Sequence, residues 1–133
     1  MDAYELTIKG EIYADTTTVP GSASCTLAAY QCYGTIISNY GQGAGDVVIN
    51  LPTAAAGLTF IAVVGTAQAA NYWKLRAAAN DKIYLDGAGG ADNGYVGLAA
   101  PVVGNYATFF TFQTGATTWD WICKSGEGIW AAS

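Results

Sequence analysis

Acid–base, nucleophilic and metal chemistry draw on a few side-chain types, and this chain supplies them unevenly. It has ten carboxylates, three cysteines and no histidine. Two carboxylates can divide general acid and base work only when one cleft holds both and shifts their pKa values. Here the carboxylates are scattered, most of them in segments that read as turns, where an Asp side chain accepts main-chain N–H groups. A serine or cysteine nucleophile would have no imidazole to activate it. No residue is assigned a catalytic role, and the expectation is a protein that is not an enzyme. Cys25, Cys32 and Cys123 lack the C-x-x-C spacing of a zinc site and have no histidine to complete one, so buried free thiols are expected.

Two further groups have binding chemistry. The loop over residues 86–94, D-G-A-G-G-A-D-N-G, offers Asp86, Asp92 and Asn93 as oxygen ligands for Ca²⁺, with main-chain carbonyls beside them. It lacks the alternating acidic spacing of an EF-hand, and a glycine-rich connection between strands accounts for the same residues. No metal or cofactor is expected. Trp119, Asp120 and Trp121, with Trp130, have the makings of a sugar-stacking site, in which flat ring faces stand beside an acceptor. Along a strand, however, Trp119 and Trp121 share a face, and the competing reading makes them core or interface anchors. Tyr72 and Trp73 read as core.

The elements that must position these residues are short and β-rich. Residues 33–75 hold three apolar runs, over 35–37, 47–51 and 58–64, each rich in β-branched residues and each closed by a Gly, Pro or Asn cluster. They are too short and too punctuated for a helical repeat. Further strands are expected over 72–76, 82–85, 95–97, 106–113 and 119–123, with a last one over 126–130. The 106–113 run is apolar on both faces, which places it centrally. Residues 22–33 are ambiguous between one helical turn and a strand. Ahead of these, Tyr4, Leu6, Ile8 and Ile12 alternate with Glu5, Thr7, Lys9 and Glu11, the pattern of a half-buried strand. Residues 15–21 are polar and end in Pro-Gly, so they read as a linker or edge segment. The expectation is an all-β, single-domain β-sandwich, jelly-roll-like, of about ten short strands over residues 25–133. Residues 1–24 form an N-terminal arm that carries Tyr4, Leu6, Ile8 and Ile12 as assembly contacts.

Composition narrows the function classes. The 133 residues suffice for one well-buried core. Charged residues make up 11% against roughly 25% in ordinary soluble domains. Apolar surface in such excess points to burial against other subunits. With a net charge of −5 and five cationic side chains, no nucleic acid or anionic membrane is expected as a partner. No run is long enough for a membrane span, and the acidic N-terminus lacks the form of a secretory signal.

Several motifs recur together in order: I-S-N-Y-G-Q (37–42), L-P-T-A-A-A-G-L-T-F (51–60), V-G-T-A-Q-A-A-N-Y-W (64–73), D-K-I-Y-L-D-G (81–87), G-Y-V-G-L-A-A-P-V-V-G (94–104) and F-F-T-F-Q-T-G-A-T-T-W-D-W (109–121). Together they resemble a β-rich module of tailed-phage virion surface proteins, found in fibres, spikes and capsid-surface proteins. The resemblance spans about residues 25–131. These are turn and core motifs, so the resemblance implies fold and virion membership rather than a chemical task.

The resulting expectation is a non-enzymatic phage virion structural protein, made in the host cytoplasm, that decorates the capsid or forms part of a fibre. Its partners would be copies of itself, as a homotrimer, and other virion proteins such as the major capsid protein. Two alternatives stand beside it. One is a carbohydrate- or receptor-binding module of a tail fibre that contacts a host glycan through Trp119, Asp120, Trp121 and Trp130. The other is a filament subunit linked by exchange of the N-terminal strand.

Overall fold

The computed structural model describes residues 18–133. Twelve strands run through them: β1 (Thr18–Pro20), β2 (Cys25–Thr26), β3 (Tyr33–Ser38), β4 (Val47–Asn50), β5 (Thr59–Val63), β6 (Tyr72–Arg76), β7 (Ile83–Leu85), β8 (Ala88–Gly89), β9 (Tyr95–Ala99), β10 (Tyr106–Gln113), β11 (Trp119–Glu127) and β12 (Trp130–Ala132). They form a seven-stranded sheet, β1-β3-β5-β10-β11-β7-β8, and a five-stranded sheet, β12-β9-β6-β4-β2. The two sheets pack on one apolar core as a β-sandwich.

The first six strands alternate between the sheets. The chain therefore winds round the core three times, and successive turns stack as parallel neighbours: β1 with β3 and β3 with β5 on one side, β2 with β4 and β4 with β6 on the other. Parallel pairs need a crossover connection, usually a helix. Between β1 and β6 each crossover passes through a strand of the opposite sheet. β9 and β10 then add antiparallel to β6 and β5.

Burial follows from alternation. In β5, Phe60 and Ala62 are buried and Ile61 is exposed; in β4, Val47 and Ile49 are buried. Five aromatic rings connect the sheets through the core. Trp73 of β6 lies 6.4 Å from Trp130 of β12, which meets Phe109 of β10 at 6.3 Å. Phe109 stacks on Phe60 at 4.8 Å, and Phe60 meets Trp121 edge-on at 5.6 Å. Such offset and edge contacts add about 0.5–1.5 kcal/mol per pair beyond the area they bury.

Differences from the expected elements are local. The ambiguous 22–33 segment contains both candidates, the two-residue β2 and a 3-10 turn over Ala29–Cys32. The last strand does not cover 126–130. β11 continues through Glu127, the chain turns at Gly128 and Ile129, and Trp130 opens β12. Asp86 and Gly87 both have positive φ, 48° and 93°, and form a two-residue hairpin turn between β7 and β8. Thr18–Pro20, which the sequence reading placed in the N-terminal segment, is an edge strand with Val19 buried. Tyr4, Leu6, Ile8 and Ile12 lie outside the described residues.

Candidate functional site

The four residues considered for glycan contact do not form one platform. Trp121 is wholly buried between the sheets. Trp130 is also buried, and its indole N–H donates to the carbonyls of Tyr106 and Glu127 at 3.0 and 3.1 Å. Neither ring has a face open to a sugar, so both are core anchors. W-D-W within a strand fixes which residues share a face, but which face the other sheet covers depends on the packing. Trp119 is half-buried against the core. Asp120 is buried, and its Oδ1 accepts the main-chain N–H of Lys82 at 2.8 Å.

Trp119 and Asp120 do share a depression of about 350 Å³ with Asp81, Lys82, Asp92 and four threonines. Asp81 is the carboxylate that the sequence reading overlooked. Burial raises its pKa, a hydrogen bond from the Ala54 N–H opposes the rise, and the charge of Asp120 adds to it. Asp81 Oδ2 takes that N–H at 2.7 Å. Each of the two carboxylates thus ties down a loop amide, a structural task. Their separation in the sequence hid their proximity.

The Ca²⁺ candidates are dispersed as well. Asp86 accepts the N–H and hydroxyl of Ser125, with Lys124 Nζ at 3.4 Å. The two Ser125 hydrogen bonds hold its carboxyl below the usual carboxylate range. Asp92 faces Lys82 at 3.7 Å, and Asn93 is an exposed turn residue with φ 54°. Among the described residues no three His, Cys, Asp or Glu side chains converge as metal ligands. No helix among them is long and apolar enough to cross a membrane.

Of the three thiols, Cys32 and Cys123 are fully buried, and burial pushes Cys32 up to about 12. Cys25 is only half-buried, short of the full burial expected for all three.

Two surfaces stand out once the fold is in place. The first is the outer face of the seven-stranded sheet. Thr59, Phe110, Ile122 and Tyr84 are consecutive cross-strand neighbours over β5, β10, β11 and β7. Beside them Ile36 of β3 faces Ile61 of β5. Phe112 meets the Tyr84 ring edge-on at 5.3 Å. Phe110 and Ile61 remain 38% and 39% exposed, well above the core strands they interrupt. Lys124 is the cation at the margin of this band.

The second surface is the outer face of the five-stranded sheet, where a cavity of about 530 Å³ runs over β9. It is lined by Tyr72 and Lys74 of β6, by Tyr95, Gly97 and Ala99 of β9, by Ala131 of β12, and by Ile129 and Ser133 on either end of β12. The Lys74 ammonium stands 4.4 Å from the centroids of both tyrosine rings and donates to the Tyr95 hydroxyl at 3.4 Å. Hydrogen bonds from Ser133 and then Lys74 keep the Tyr95 phenol below its usual pKa. Gly97 is the register partner of Lys74, and a Cβ there would lie 2.5 Å from the Trp73 carbonyl oxygen and 2.9 Å from Lys74 Cγ. The absent side chain lets the lysine stem cross the strand. The sequence reading assigned Tyr72 to the core together with Trp73; Trp73 is buried, but Tyr72 is 42% exposed. Alternation along Y-W-K-L-R carried that signal, with Trp73 and Leu75 on one face and Tyr72, Lys74 and Arg76 on the other.

No family model, curated protein or solved structure matches the chain.

Proposed function

We propose that this chain is a non-enzymatic structural protein of a phage virion, at the capsid surface or in a fibre, which works by assembling with copies of itself. The observation that carries the assembly reading is the apolar band on the outer face of the seven-stranded sheet. Ile36 and Ile61 in one cross-strand row, and Phe110, Ile122 and Tyr84 in the next, share that face with Thr59 and Thr108 on a chain with few charged residues to keep it wet. Large exposed apolar patches of this kind mark sites where another protein surface sits. A second copy is the occupant that the low charge of the whole chain favours, with a trimer as the assembled state. Virion membership rests on the motif resemblance over residues 25–131, and the capsid protein follows as a further partner.

The test is the mass in solution. The full chain is expected to run as an oligomer by light scattering, and Phe110→Lys with Ile61→Lys is expected to yield a folded monomer with an unchanged far-ultraviolet circular dichroism spectrum. A wild-type monomer at micromolar concentration overturns the assembly reading. The second reading, a receptor-binding module, is favoured by one observation, the Tyr72–Lys74–Tyr95 groove on the opposite sheet.

A further inference from the structure

We infer that the groove over β9 is a binding site for a carboxylate-bearing sugar, with Lys74 as the group that recognises the carboxylate. Four cationic side chains fall within the described residues. Lys82 and Lys124 face Asp92 and Asp86. Lys74 and Arg76 face no carboxylate among the described residues, although the chain as a whole is acidic. The Lys74 ammonium is instead held in place by two ring faces, an arrangement that preserves its charge for an incoming anion. Arg76 stands behind it, its guanidinium 5.7 Å from the Tyr95 centroid and its buried Nε without a hydrogen-bond partner among the described residues. One face of the ligand therefore meets positive charge.

The remainder of the groove fits a sugar ring. Its volume of about 530 Å³ is within the range of small-molecule sites. Ala99 and Ala131 make an exposed floor of small residues that admits a ring close to the sheet, beside the Lys74 stem that covers Gly97, and the hydroxyls of Tyr95 and Ser133 can exchange hydrogen bonds with sugar hydroxyls. Ile129, 89% exposed, supplies an apolar wall. An acidic peptide is a poorer fit. β9 is hydrogen-bonded to β6 on one side and β12 on the other, so a peptide backbone could pair only along the outer edge of β12, two strands away from Lys74. The site stands apart from the assembly face, because it uses the other sheet.

The experiment is a nuclear magnetic resonance titration of the full chain with glucuronic acid, following the Tyr95 and Gly97 amide signals. Glucose, inorganic phosphate and a glutamate tetrapeptide serve as parallel probes. Glucuronate is expected to produce saturable shifts, and glucose to bind at least about tenfold more weakly for want of the charge-assisted contact. Lys74→Met, which keeps the apolar stem, is expected to weaken glucuronate by a similar factor, whereas Lys124→Met leaves it unchanged. Ala99→Leu fills the floor while keeping the charge, and is expected to abolish binding even if the lysine variant folds poorly. The inference is overturned by absence of saturable shifts with glucuronate, by equal affinity for glucose, by undiminished binding in Lys74→Met or Ala99→Leu, or by tighter binding of phosphate or of the glutamate peptide.

Discussion

Asn39 receives the main-chain N–H of Gly65 on its side-chain oxygen at 2.8 Å, from a position with no solvent exposure. The same oxygen accepts the Thr66 N–H at 3.1 Å, while the Asn39 amide nitrogen donates to the Thr66 carbonyl and to Gln42 Oε1. Gln42 in turn donates to the carbonyls of Gly45 and Tyr72, and Gln68 donates to the carbonyl of Gln42. The motifs I-S-N-Y-G-Q and V-G-T-A-Q-A-A-N-Y-W are thus two halves of one buried amide network.

The network predicts a steep cost for its central residue. Asn39→Ala strands the N–H groups of Gly65 and Thr66, and at roughly 1–3 kcal/mol for each unsatisfied donor the total loss is about 2–6 kcal/mol. Urea denaturation measures it, and a loss under about 1 kcal/mol would show that water replaces the side chain. Gly65→Ala should also destabilise, because a Cβ there would sit 2.8 Å from Ser38 Oγ and 2.9 Å from Tyr40 Cβ.

The two fully buried tryptophans should respond differently to loss of the indole N–H. Trp73 Nε1 donates to the Gly21 carbonyl at 2.9 Å, which fastens the segment after β1 to β6. Trp121 Nε1 is buried with no partner among the described residues. Both Phe variants lose ring volume, but only Trp73→Phe also strands an acceptor. Trp73→Phe is therefore expected to cost about 1 kcal/mol more than Trp121→Phe. Equal costs, or a larger one at Trp121, would refute the assignment of that bond.

Thiol labelling separates the cysteines. At pH 8 the native protein should react at one site, Cys25, and at all three after unfolding, because burial raises the pKa of every thiol and leaves only Cys25 partly accessible. Mass spectrometry of alkylated peptides reads the sites. Rapid native labelling of Cys32 or Cys123 would contradict the packing.

Asp81 sets a pH dependence of definite sign. Its folded pKa lies above its unfolded value, so the native state holds its proton longer than the unfolded chain does. Stability from this residue is complete below the ordinary carboxylate pKa and declines as pH rises through the window up to the raised value. Asp81→Asn, whose amide oxygen can still accept the Ala54 N–H, should flatten that decline. Asp86 has the opposite sign, its contribution being lost as pH falls through its lowered pKa, and its exposure makes the effect small and salt-sensitive. Unchanged pH profiles of melting temperature in Asp81→Asn would exclude Asp81 as the source.

What the sequence determined by itself was the element type and most of the strand positions. Alternation over 47–50, 72–76 and 106–113 is a local property, set by the two-residue period of the pleat. Strand direction and sheet membership were beyond its reach. The winding of β1 to β6 between two sheets depends on contacts across many residues, and a short apolar run reads alike whether its neighbour is parallel or antiparallel. The tertiary structure also decided the fate of each candidate site. It enclosed Trp121 and Trp130, turned Asp86 towards Ser125, and brought Asp81 beside Asp120. Lys74 became prominent only when β9 placed Gly97 and Tyr95 beside it, since a lone lysine in Y-W-K-L-R carries no sign of the ring that will face it. Periodicity assigns a residue to a face of its own strand; what covers that face is settled by packing between segments distant in sequence.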